Sequence, residues 1–324
     1  MTTKKLAPIV LFVFARPNHT HKTLESLRAN TLAKESDLII YADAARNASE
    51  AEKVKQVRHL LQSINGFNSI KIIERETNIG LARNIIEGVT DVCERHGKAI
   101  VLEDDIVTSP TFLEYMNGAL DRYADEKNIW HISGWNYPIE PTGLEDAFFW
   151  RAMNCWGWGT WQDRWVNFRK DPRLLIESWS TKDISAFNLD DAYSFWEQVQ
   201  LNHQKKINTW AIFWYATIFS HKGLCLNPAQ TLVLNIGIDG SGENCGTTAI
   251  YTSQLSRKSN FSWPREHKES SLALERIKHF YKNNNPSIAR RIARKLKRHF
   301  RNILKSALQT RKIEQKQGGS NDQI

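Results

Sequence analysis

The chain has 324 residues and no apolar run near the roughly 18 that a membrane-spanning helix needs. The apolar stretch Ile9 to Phe14 is too short for the core of a secretory signal. The expectation is a protein that starts and stays in the cytoplasm. Cysteine is scarce: Cys93, Cys155, Cys225 and Cys245 lie far apart, with no C-x-x-C pair and no histidines at zinc-finger spacing. That excludes a small disulfide scaffold and a zinc finger, and fits ordinary thiols in a reducing compartment. Acidic residues are missing from residues 286 to 312, which hold ten basic side chains. Residues 1 to 285 carry 33 basic and 33 acidic groups, so the formal charge of +9 belongs to the tail alone.

What is present is a 41% hydrophobic chain, enough to bury a sizeable core. Its first third alternates short apolar runs with amphipathic stretches, the pattern of strands and crossover helices in a parallel α/β sheet. Leu6 to Phe14, Asp37 to Tyr41, Ile70 to Ile73 and Ala99 to Leu102 are the expected strands. Helices are expected after the turn at Arg16-Pro17-Asn18, through Val54 to Leu61, over Leu81 to Arg95, and from Ser109-Pro110. Eleven of the twelve tryptophans fall between Trp130 and Trp214, where regular alternation is lost. Residues 130 to 250 read as the second, mixed half of one domain spanning 1 to 285, with about 1 to 130 as the first half.

In open α/β sheets ligands sit beyond the carboxyl ends of the strands. Arg16, Asp43 and the run Glu103-Asp104-Asp105 fall at such ends, so they are expected to converge on one cleft. A diphosphate leaving group needs its developing charge neutralised, and a hard divalent cation held by carboxylate oxygens does this. One or two carboxylates suffice, because the phosphates supply further ligands. The same run also reads as a solvated acidic turn ahead of a helix.

The segments VLFVFARPNHTHKTLESL (10 to 27), IIYADA (39 to 44), GLARNIIEGV (80 to 89), IVLEDDIVTSPTFLEYM (100 to 116) and ISGWN (132 to 136) resemble the donor-binding half of the GT-A glycosyltransferases. They are most similar to the N-acetylglucosaminyltransferase I type. The stretches CWGWGTW and GLCLNPAQTLVLNIGIDGSG are similar to acceptor-side and lid segments, and the whole also resembles bacterial surface-polysaccharide transferases. The resemblance covers about three quarters of the chain. It implies a Rossmann-like GT-A fold and a nucleotide-sugar donor, with a weak preference for UDP through Asp43. It also implies Mn²⁺ or Mg²⁺ on Asp105, Glu103 toward the ribose, and Asp104 toward the donor sugar. Arg16 would lie against the diphosphate or base, Asp43 would read the base edge, and Arg83 and Asn84 would add donor contacts. Arg16 as a turn cap and Asp43 as a helix N-cap are the bland alternatives.

Aromatic rings pack on the C–H faces of sugars, although most tryptophans are core residues; Trp135 and Trp158 are the expected acceptor contacts because they fall in the segments that resemble the family. Gly237, Gly240 and Gly242 predict a mobile loop able to close over the donor, or a plain surface turn. An inverting transferase also needs a base for the acceptor hydroxyl. The family places an acid on the helix before the last core strand, where this chain has Ala211, Ile212 and Phe213. Glu197, Asp191, Asp239 and Glu243 are the substitutes in reach.

In the tail, Ile288, Ile292, Leu296, Phe300, Ile303 and Leu304 recur at helical spacing on one face, with basic residues elsewhere. That predicts a helix over 286 to 312 lying on an anionic membrane surface, followed by a disordered end over 313 to 324. Nucleic acid is not expected as a partner, since the neutral body offers no matching groove. The combined expectation is an inverting, metal-dependent glycosyltransferase, peripheral on the inner face of the cell membrane, acting on a surface glycan or lipid-linked saccharide. A nucleotidyltransferase would be expected to carry a glycine-rich, basic loop after the first strand, which Ala15-Arg16-Pro17-Asn18-His19 is not. A non-catalytic carbohydrate- or membrane-binding protein is the other alternative.

Overall fold

A computed structural model describes residues 5–240 and 250–284. Its elements run β1 (Ile9–Val13), α1 (Pro17–Arg28), β2 (Asp37–Ala42), α2 (Ala48–Leu61), β3 (Ser69–Glu74), α3 (Leu81–His96) and β4 (Lys98–Glu103). Next come β5 (Ile106–Thr108), α4 (Phe112–Arg122), β6 (Ile129–Ser133), β7 (Ala147–Trp150) and β8 (Trp158–Trp161). The helices α5 (Gln162–Trp165), α6 (Pro172–Ser178), α7 (Thr181–Phe187), α8 (Trp196–His203) and α9 (Ala211–Ser220) follow. The last elements are β9 (Leu224–Pro228), β10 (Val233–Asn235) and α10 (Ser271–Asn284). Contacts divide the chain into one unit, Met1–Phe280, and a second, Tyr281–Ile324, whose described part is the end of α10. The predicted basic helix over 286 to 312 and the end over 313 to 324 lie outside the described residues, as do Glu243, Cys245 and Gly242.

The fold is mixed α/β around an eight-stranded sheet in the order β3-β2-β1-β4-β8-β6-β9-β7. The strands β1 to β4 are mutually parallel; β8 runs against β4 and β6, β9 runs with β6, and β7 runs against β9. Continuous burial of β1 follows from its unbroken apolar sequence, which can be covered on both faces. Proline at the first position of α1 fits because that N–H has no helical partner anyway. On α3, Ile85, Val89 and Val92 face the sheet, and Gly88 lets the Phe12 ring lie against the helix.

The helix expected from Ser109-Pro110 begins later, at Phe112. The Ser109 N–H is taken by the Leu232 carbonyl at 2.8 Å, which extends the antiparallel β5–β10 ribbon past its last paired strand residue. That ribbon carries the chain after residue 233 back beside the end of β4.

The tryptophan-rich half builds core. Trp158, at 1% exposure, stacks on Trp210 with centroids 5.2 Å apart and lies flat against the His131 ring at 5.4 Å. His131 is fully buried, and its ring donates from Nε2 to the Asn154 carbonyl at 3.0 Å while Nδ1 accepts from Trp214 Nε1 at 3.2 Å. Burial pushes its pKa down from 6.5 to about 3. A second proton on Nδ1 would confront the Trp214 N–H donor, so the folded state holds the ring neutral. Between these two values the unfolded chain binds the proton and the folded chain does not, so stability falls as pH falls. By pH 5 this costs about 2 kcal/mol. The check is the urea midpoint of wild type and His131→Gln at pH 8 and pH 5. Titration elsewhere is common to both proteins, so the wild-type advantage should shrink by about that amount. An unchanged difference would mean that the ring does not titrate between the two states.

Candidate functional site

Because β1, β2 and β4 are parallel neighbours, the residues after them share one edge of the sheet. Phe14, Arg16, Asp43, Asn84 and Glu103 to Asp105 line a cavity of about 280 Å³, close to the lower end of the roughly 300–1,000 Å³ usual for small-molecule sites. Arg46, Glu50, Lys53 and Asn78 also line it. These were not singled out from the sequence, although Glu50 and Lys53 stand three residues apart on α2, a helix-face signal; Arg46 precedes the Asn47 cap and pairs with Glu50. The Arg46 guanidinium sits 5.2 Å over the Phe14 ring.

The carboxylates Glu103, Asp104 and Asp105 share this lining. Asp104 Oδ2 accepts the Phe14 N–H at 3.1 Å, and the Asp104 carbonyl accepts the Thr23 hydroxyl at 2.9 Å, which fixes the end of β4 to β1 and α1. Burial, then the neighbouring Asp105, push Asp104 up to about 7, with Arg16 opposing. Glu103 is carried in the same direction by burial and by Asp105 and Asp104. Asp105 Oδ2 accepts from Arg16 Nη1 at 2.7 Å, and the same nitrogen stands 3.6 Å from Asp104 Oδ1. Burial alone would lower the Arg16 pKa, but Asp104, Asp105 and Asp239 outweigh it and raise it.

The ribbon partner closes over this pair. The Ile236 N–H donates to the Asp105 carbonyl at 2.8 Å, and a Cβ on Gly237 would lie 2.1 Å from Asp105 Oδ2 and 2.7 Å from Arg16 Nη2. Only glycine permits that approach. Two residues on, Asp239 accepts from His19 Nε2 at 3.1 Å and lies 4.0 Å from Arg16 Nη2. His19 was also missed from the sequence; it follows Arg16 by three residues, one turn along, where the start of a helix turns both toward the same side.

Other expected site residues lie differently. Asp43 is in the cavity wall, but Oδ1 accepts the N–H groups of Ala44 and Ile79 and Oδ2 that of Gly80. Its carboxylate ties the end of β2 to the loop before α3, where Gly80 takes a φ of +76°. Its oxygens thus already accept three backbone N–H groups, and α2 is capped by Asn47 rather than by Asp43. Asn84 is buried and accepts from Arg75 Nε at 3.1 Å. Arg83, its helix neighbour, points to solvent with a 68% exposed side chain paired to Glu87, because α3 spends the adjoining positions on its buried face. It does not line the cavity.

Of the proposed bases, only Asp239 among the described residues reaches the Arg16–Asp105 pair. Asp191 is exposed and bonded to the Ser185 hydroxyl, and Glu197 is exposed on α8. Trp158 is a core ring rather than an acceptor wall. Trp135 is buried as well, edge-on to Tyr137, Trp156 and Tyr251, so neither offers a ring face to a saccharide.

Among the described residues no three His, Cys, Asp or Glu side chains are gathered to hold a metal ion. Asp105 nevertheless fits a partial site: it is 93% withdrawn from solvent, and its Oδ1 is buried with no hydrogen-bond partner. A hard cation there would draw its remaining oxygens from phosphates.

No family model matches the chain, and no curated protein matches it. Among solved structures it is similar to S. aureus TarS, with a TM-score of 0.27 and 15% identity over 39% of this chain and 21% of that one. It is similar to UDP-glucose pyrophosphorylase complexed with UDP-glucose, with a TM-score of 0.34 and 10% identity over 69% and 90% of the two chains. A mycobacterial protein overlaps at a TM-score of 0.28 and 9% identity over 48% and 54%. The chain thus spans about a fifth of TarS and about half of the mycobacterial protein. Overlaps this loose assign neither substrate nor reaction.

Proposed function

We propose that the chain is a glycosyltransferase of GT-A type that takes its sugar from a nucleoside diphosphate with the help of Mn²⁺ or Mg²⁺. One observation carries the reading: a single cavity is lined by Glu103, Asp104 and Asp105 together with Phe14, Arg46 and Lys53. An aromatic and two cationic side chains suit a base and its phosphates, while the carboxylates suit the cation that phosphates share. The resemblance to the N-acetylglucosaminyltransferase I type and to bacterial surface-polysaccharide transferases supports the same assignment. When bound, the cation would neutralise charge on the departing diphosphate. Arg16 orients Asp105, Asp104 joins β4 to β1, and the Gly237 backbone lies against the Asp105 carboxylate. Asp239, beside His19, is the described acid best placed to take a proton. The acceptor would be a surface glycan or lipid-linked saccharide. The basic stripe over 286 to 312 would then hold the enzyme on the inner face of the cell membrane.

The test is a melting screen with UDP-, GDP-, CMP- and dTDP-sugars plus Mn²⁺, followed by an assay for released nucleotide. A ligand at a hundredfold its dissociation constant adds about 2.7 kcal/mol to folding, so one donor class should raise the melting temperature by several degrees. Release without any such shift would move the donor away from this cavity. A shift with no release from any donor, with or without saccharide acceptors, would favour a non-catalytic binding protein.

A further inference from the structure

Arg16 occupies an unusual place for a residue expected on a diphosphate. Its Nη1 bonds Asp105 Oδ2 at 2.7 Å and approaches Asp104 at 3.6 Å, while Nη2 lies 4.0 Å from Asp239. The guanidinium is the positive charge that three carboxylates share, and its side chain is only 16% exposed. A divalent cation seeking Asp105 therefore meets an oxygen already engaged by a cation. It also meets the Gly237 backbone packed so closely that a methyl group would collide with that same oxygen.

The His19–Asp239 contact pins this arrangement from the other side. A carboxylate only accepts, so His19 Nε2 is the donor, and the bond fixes the turn that follows Gly237 to the first turn of α1. Arg16 and His19, one helical turn apart, thus hold Asp105 and Asp239 together across the β5–β10 ribbon. The Asp105 Oδ1 atom, buried and without a hydrogen-bond partner, is the oxygen left for another cation.

We propose that Arg16 is a built-in counter-ion that competes with the divalent cation for Asp105 and moves from the carboxylates to the diphosphate when the nucleotide arrives. This rests on the donor reading above. The exchange is electrostatically balanced: the carboxylates trade a guanidinium for a metal ion, and the guanidinium trades carboxylates for phosphate oxygens, which suit its fork equally well. Two consequences follow. The cation alone binds weakly, because on Oδ1 it faces the Arg16 charge held on Oδ2 of the same carboxylate, with nothing to draw the guanidinium away. Nucleotide and cation favour each other's binding by the same factor, as linkage requires, and part of that coupling belongs to Arg16 rather than to direct contact between phosphate and metal.

The experiment titrates the full chain with Mn²⁺ alone, following free Mn²⁺ by its electron paramagnetic resonance signal, and repeats the titration with saturating UDP. Arg16→Gln should bind Mn²⁺ alone roughly tenfold tighter than wild type, equivalent to about 1.4 kcal/mol, and UDP should improve its Mn²⁺ affinity less than it does in wild type. Arg16→Lys keeps a charge but not the fork that spans three carboxylates, so it should fall between the two. Asp105→Asn should lose the tight Mn²⁺ site in either background. If Arg16→Gln and Arg16→Lys bind Mn²⁺ no tighter than wild type, Arg16 is not a competitor and the proposal falls. Should Arg16→Gln fail to fold, the Arg16→Lys titration decides alone. If neither UDP nor any other nucleoside diphosphate changes wild-type Mn²⁺ affinity, the donor reading fails. The Mn²⁺-only titrations of the Arg16 variants still report separately on the competition.

Discussion

Asparagine in place of Asp105 should lower turnover with the accepted donor by roughly a hundred- to a thousandfold, the usual cost of removing a group that stabilises developing charge. The change keeps the side chain's size and leaves the carbonyl that accepts the Ile236 N–H untouched, so the ribbon beside β4 should survive. What disappears is the negative charge paired with Arg16, and one of the two carboxylate oxygens becomes an amide NH2 that cannot bind a cation. The loss should fall on kcat, because a cation that neutralises the leaving diphosphate acts most strongly once that charge has developed. The measurement is kcat and KM against Mn²⁺ concentration, together with melting curves that confirm folding. A folded Asp105→Asn protein with wild-type kcat would place the cation on another residue, and the neighbouring Glu103 and Asp104 would then be examined in the same way.

Trp158→Ala should destabilise the protein by about 3–5 kcal/mol, as deletion of large buried aromatic side chains generally does. Trp158 is packed against His131, Trp165, Trp210 and Trp214, all buried themselves, so the space it leaves has few mobile groups to fill it. For a chain this long the melting temperature should drop on the order of 10 °C. Trp158→Phe separates the core role from the acceptor role expected of the CWGWGTW segment. As a core ring it should cost stability while leaving KM for the acceptor within about twofold, since a substitution far from the substrate leaves uniform binding intact. A large rise in acceptor KM with little loss of stability would return Trp158 to the acceptor wall.

The first four strands and the edge on which Arg16, Asp43 and Asp105 meet were legible because the signals are local. Unbroken apolar runs become strands covered on both faces, proline and polar residues end them, and parallel neighbours bring their carboxyl ends to one side. The same local reasoning misjudged the start of α4, because the Ser109 N–H is claimed by Leu232, a partner more than a hundred residues away. It also chose Trp158 for its glycine-flanked motif, whereas burial depends on which helices later cover β8. Asp43 shows the limit most plainly. Its position after β2 could be read, but the two N–H groups that come from the loop before α3 could not.

Sequence alone therefore determined that three acidic residues end a buried strand, that an arginine follows its neighbour, and that the chain's excess charge belongs to its tail. Only the tertiary structure decided that this arginine pairs with Asp105, that Gly237 lies against them both, and that His19 reaches Asp239. Local sequence specifies each residue's own conformation. Which charges share a low-dielectric site depends on packing between segments more than two hundred residues apart.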